Sequence, residues 1–75
     1  MRFIEMTGKK LHELVQDDEL PGPDLHAAGV DDDSIVRVNE HGDIEVRRPE
    51  KWDVIGGLLG EYVDKVKAHT GLDFA

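Results

Sequence analysis

Between Ser34 and Arg48 apolar and polar residues alternate in two short runs. Val36 and Val38 alternate with Arg37 and Asn39, and Ile44 and Val46 with Glu45 and Arg47. A period of two marks a half-buried strand. A three-residue loop, Glu40-His41-Gly42, then pairs Val38 with Ile44 and Val36 with Val46 on one face. The same register sets Arg37 opposite Glu45 on the other face, a favourable cross-strand pair. Gly42 stands where a loop of this length needs a left-handed residue. Pro49 stops the second strand. The pattern therefore predicts a hairpin over residues 34–48.

Upstream, residues 2–6 predict a short strand carrying Phe3, Ile4 and Met6. Thr7 follows as a helix N-cap. Leu11, Leu14 and Val15 recur at helical spacing. Met6 and Leu11 have the spacing of a hydrophobic staple. A helix is expected over residues 8–16. Leu20-Pro-Gly-Pro23 forces a turn. Pro23 then opens a short helix near residues 24–28, closed by Gly29 in the left-handed conformation with Val30 folding back.

Downstream, Val54, Leu58, Tyr62, Ile55, Val66, Leu59, Trp52 and Val63 share an arc of roughly 180° at 100° per residue. That arc predicts one C-terminal helix over about residues 50–70, wider in its apolar face than the roughly 100° stripe of a surface helix. Gly71 ends it, with Leu72 folding back on Val66. Three internal glycines, Gly56, Gly57 and Gly60, each cost about 1 kcal/mol relative to alanine. Close approach of another backbone beside Gly56 and Gly60 would offset them. The alternative is an extended Trp52–Ile55, a turn at Gly56-Gly57 and a helix from Leu58. The element order predicts an α+β fold. A small antiparallel sheet, made of the hairpin and the N-terminal strand, is packed by the C-terminal helix.

Seventy-five residues make a single small domain whose own core is marginal. Such chains usually need support from a disulfide, a metal or an oligomer. There is no cysteine, which leaves self-association as the expected support. It also fits a cytoplasmic location. The first ten residues hold no apolar run with a small-residue cleavage site. The longest uncharged apolar run, Val54 to Gly60, falls well short of the ~20 residues that cross a bilayer. No membrane partner is expected.

The net charge is −8, and residues 17–34 alone carry −7. This acidic connecting segment reads as a solvated stretch that favours solubility. A phosphate backbone would be repelled by it, so nucleic acid is not an expected partner.

The candidate chemistry is sparse. His12, His26, His41 and His69 share no i, i+3 or i+4 spacing, and no metal motif is present. Asp31-Asp32-Asp33 lacks the alternating ligands, glycine and closing glutamate of a calcium loop. A metal or enzyme site would need these histidines and acids to converge in the fold. Ser34 is the sole serine, and no glycine-rich phosphate loop exists. No enzyme, cofactor or metal is expected. Arg37, Arg47, Arg48 and Lys51 form the one basic cluster, a candidate patch for an anion or an acidic partner. Trp52, Gly56, Gly60 and Val63 lie along one edge of the expected helix and form the candidate interface.

The run from Leu25 to Pro49 holds a short helix ending in glycine, a polar loop, two strands about a glycine turn and a closing Arg-Pro. It resembles the hinge-and-hairpin stretch of swapped-hairpin transition-state regulators and related antitoxins. The resemblance covers about a third of the chain. It implies an intertwined dimer that regulates transcription. The chain departs from the family pattern in two ways. Its first strand lacks the basic DNA-contacting pattern, and its hinge is acidic. The expected function is a non-enzymatic interaction or self-association module, a homodimer or partner-binding protein, that uses its C-terminal helix. A small regulator of the swapped-hairpin kind is the alternative.

Overall fold

The computed structural model describes residues 1–17 and 24–75. Its elements are β1 (Phe3–Thr7), α1 (Gly8–Asp17), β2 (Ile35–Asn39), β3 (Asp43–Arg47), β4 (Trp52–Gly57) and α2 (Tyr62–Thr70). The four strands form one antiparallel sheet in the order β1-β2-β3-β4. The fold is α+β with a C-terminal helix. The expected turn at Leu20–Pro23 lies outside the described residues.

The hairpin forms in the expected register: Val36 opposes Val46, Arg37 opposes Glu45 and Val38 opposes Ile44. Gly42 is left-handed at φ 88°. Asn39 holds the loop together. Its Oδ1 accepts from the His41 and Asp43 N–H groups at 2.8 and 3.0 Å, and its Nδ2 donates to Asp43 Oδ2 at 3.1 Å. These bonds satisfy a side chain that is itself buried.

β1 runs into α1 without a loop, and the helix start is closed from two sides. Thr7 Oγ accepts the Lys10 N–H at 3.2 Å, the expected N-cap. The Gly8 and Lys9 N–H groups donate to the carbonyls of Ser34 and Asp32, at 2.7 and 3.3 Å. Three of the four N–H groups that a helix leaves unpaired at its start are thereby satisfied.

The expected short helix at 24–28 is a single hydrogen-bonded turn. Asp24 Oδ1 accepts from the Ala27 N–H, and Gly29 closes the turn at φ 78°. The Val30 N–H reaches back to the Leu25 carbonyl at 2.9 Å, the Schellman closure expected at Gly29. One turn is all that fits before the glycine.

The single helix expected over about residues 50–70 is corrected. Trp52–Gly57 is a strand, and the helix begins only at Tyr62. Pro49 and Glu50 form a two-residue loop, closed by the Arg48 N–H donating to the Lys51 carbonyl at 2.8 Å. The chain thus turns back into a second hairpin. Trp52, Val54 and Ile55 are β-formers, and the two glycines after them disfavour a helix. A bulge between Ile44 and Glu45 inserts Ile55, which packs against the core. The insertion breaks the alternation that would otherwise have marked this strand.

Ile4, Leu11, Leu14, Val36, Val38, Ile44, Val46 and Val66 are fully buried. The core therefore lies between one face of the sheet and the two helices. Gly71 caps α2 at φ 70°, its N–H on the Lys67 carbonyl. Leu72 does not fold back; it is exposed, and Phe74 enters the core instead. Lys67 pairs with Asp73 at 3.2 Å. That hydrogen bond, with the Phe74 N–H, holds the Asp73 carboxyl below its usual range. A lowered folded value favours the fold above the ordinary value of 3.8. The contribution is lost as pH falls through the lowered one. Among the described residues, no helix is long and apolar enough to cross a membrane.

Gly60, in the connection from β4 to α2, is left-handed at φ 80°, and a side chain there would meet nothing within 4 Å. Gly60→Leu is therefore expected to destabilise by about 1–2 kcal/mol through backbone strain alone. Urea denaturation checks this. A gain in stability would show that the connection can rearrange.

Candidate interaction surface

Strand parity assigns twelve positions, eleven of them with side chains, to the sheet face opposite the helices. Val36, Val38, Ile44 and Val46 point into the core, so Ile35, Arg37, Asn39, Asp43, Glu45 and Arg47 take the other face. Pairing extends this face to Phe3, Glu5 and Thr7 on β1 and to Trp52, Val54 and Gly57 on β4. No described element covers it.

Arg37 is the centre of this face. Its guanidinium lies 3.8 Å from the Phe3 ring centroid and 4.1 Å from that of Trp52. It also pairs with Glu45 at 2.9 Å. One residue of β2 thereby engages side chains from each of the other three strands. The planar, weakly hydrated guanidinium suits a place between two rings. Its Nε is buried with no hydrogen-bond partner, as expected when aromatic faces occupy its surroundings. Around this clamp, Val54 is 62% exposed and Ile35 38%.

Arg37→Met keeps the aliphatic stem and removes both the charge and the planar group. Its expected cost is about 1–2 kcal/mol, read from the urea midpoint. Arg37→Lys should recover less than half of that, since an ammonium cannot lie flat between two rings. Full recovery by lysine would mean that the ion pair alone matters.

The four candidate interface residues do not share an edge. Trp52 lies on the outer sheet face beside Arg37. Gly56 opposes Ile44 within the sheet. Gly60 belongs to the connection, and Val63 is partly exposed on α2. The basic cluster is divided as well. Arg37 and Arg47 share the outer face. Arg48 turns away to donate to the Ala28 carbonyl at 3.0 Å and to approach Asp53 at 3.6 Å. Lys51 is exposed in the turn before β4.

His12 and His26 line one shallow cleft with Asp31, Asp32 and Asp33, the convergence a metal site would need. Yet among the described residues no group of three or more histidines and acids could hold a metal ion. The Asp31 carboxylate is already engaged by the Asp33 N–H and the Ser34 hydroxyl.

Phe3, Ile35 and Val54 were not among the candidate residues. Parity held the signal for Phe3. Because Ile4 and Met6 belong to the core, Phe3, Glu5 and Thr7 must face the other way. Val54 joins this face because the turn at Pro49-Glu50 brings the chain back as β4, opposite Glu45.

Models of known protein families, curated proteins and solved structures yield no match to this chain.

Proposed function

We propose that this chain is a non-enzymatic interaction module that docks a protein partner on the uncovered face of its sheet. The surface differs from the C-terminal helix expected from the hydrophobic pattern, because much of that apolar pattern belongs to β4. One observation carries the reading: exposed Val54 and Ile35 flank an arginine clamped between two aromatic rings. Rigid aromatics and arginine are the side chains that most often anchor protein interfaces. A sheet face meant only for solvent would carry polar residues at these positions. Both rings already engage Arg37, and the chain carries −8. A nucleic acid would therefore lack both stacking surfaces and attraction.

Photo-crosslinking in the native host tests the reading. A benzophenone side chain at Val54 should give a discrete protein adduct. The same group at exposed Ala68, on α2, should give none. No adduct from Val54, or the same adducts from both positions, would overturn it.

A further inference from the structure

We infer that the partner on this face is a second copy of the chain; this rests on the docking reading above. The argument is one of charge. The outer face holds Arg37 and Arg47 against Glu5, Asp43 and Glu45, so it is close to neutral on a chain of net −8. A strongly basic partner would find little field there to select this face, whereas two chains of net −8 can meet on a near-neutral face without concentrating like charge in the contact. Arg37 and Glu45 neutralise each other at 2.9 Å, and Asp43 accepts from Asn39. Glu5 on β1 and Arg47 on β3 remain exposed, opposite in sign and on different strands.

That arrangement is self-complementary. In a two-fold contact, residue i of one copy meets residue j of the other and the reverse. Glu5 can therefore pair with Arg47 twice over, once on each side of the axis, while Ile35 and Val54 leave water. Area agrees with a reversible contact. Four strands ~4.8 Å apart, each about five residues long, offer a face of roughly 330 Å², so two faces together bury roughly 650 Å² before side-chain relief is counted. This is below the size of a standard interface, and it predicts a weak dimer rather than an obligate one.

Sedimentation equilibrium of the purified chain over a wide concentration range should show a reversible monomer–dimer equilibrium. Glu5→Lys and Arg47→Glu should each weaken it by about tenfold. An equimolar mixture of the two single variants should recover it, because both contacts in the mixed pair are then between opposite charges. Val54→Asp, at a position exposed enough to leave the fold intact, should abolish it. Circular dichroism confirms that each variant is folded.

A strictly monomeric chain at the highest concentration overturns the inference. So does a dimer that Arg47→Glu and Val54→Asp leave unchanged. Crosslinking separates this failure from that of the docking reading. An adduct from Val54 with a different protein keeps the reading and removes the second copy, whereas no adduct removes both.

Discussion

Replacing Gly8 by alanine is expected to remove about 3 kcal/mol or more of stability. The reason is space. A Cβ on Gly8 would fall on the Asp31 carbonyl oxygen and press on Val30 Cγ1. The obstacle is backbone, so no side-chain rotation relieves it. The loop must move off the start of α1. Both bonds that close the helix, Gly8 to Ser34 and Lys9 to Asp32, are then stretched or lost. Gly8 is buried, and its N–H left without a partner costs about 1–3 kcal/mol, whereas exposed Lys9 can turn to water. A chain of 75 residues has roughly 4–11 kcal/mol of stability in total, so this one methyl group consumes much of it. Urea denaturation measures the loss. A change within about 0.5 kcal/mol would mean that the loop is not held against the helix as described.

Gly42→Ala is the second large effect, expected at about 2–4 kcal/mol. Two causes act together here. At φ 88° any side chain adds strain of about 1–2 kcal/mol. The new Cβ would also sit 2.9 Å from the Tyr62 ring and 3.0 Å from the Leu58 carbonyl oxygen. Those neighbours are fixed, because the Leu58 N–H donates to the Gly42 carbonyl and the Tyr62 hydroxyl to the Glu40 carbonyl. Gly71→Ala supplies the comparison. Gly71 is left-handed as well, at φ 70°, but a side chain there meets nothing within 4 Å. The difference between the two variants in urea isolates the packing cost. If they lose equal stability, the hairpin loop does not press on the start of α2.

The first hairpin was readable from the residues alone because two independent local signals agree. The parity of Val36, Val38, Ile44 and Val46 fixes the face, and Gly42 fixes the loop. The start of α1 was readable for a similar reason, since Thr7 caps it within three residues. The single C-terminal helix fails because its apolar residues also fit a helical wheel. The extended Trp52–Ile55 of the alternative falls within β4, although the helix starts at Tyr62 and not at Leu58. The width of that arc, far beyond a normal stripe, was itself the warning. Two elements of different period had been laid on one wheel. Ile55 in its bulge removed the alternation, and Pro49-Glu50 held the turn signal that would have divided the stretch.

The candidate surface was half legible. The Arg37–Glu45 pair follows from hairpin register, and it forms at 2.9 Å. That Phe3 and Trp52 close over the same guanidinium does not follow. It depends on β1 and β4 flanking the hairpin on opposite sides, and nothing local to either strand encodes that neighbourhood. The resemblance to swapped hairpins implies an intertwined dimer, and it too says nothing about which strands flank the hairpin. Both edges of this hairpin are already paired within the chain, by β1 on one side and β4 on the other.

Phe3 and Ala75 exchange both backbone hydrogen bonds, each 3.0 Å long, as a directly opposed antiparallel pair does. The geometry decides how the molecule bears load. Tension applied through residues 1 and 75 acts across this pair, opening it like a zipper instead of shearing it. The next element drawn out is the tail that carries Phe74 from the core. Held by its two ends, the protein should yield at low force. Held through the ends of neighbouring strands within the sheet, it should resist far longer.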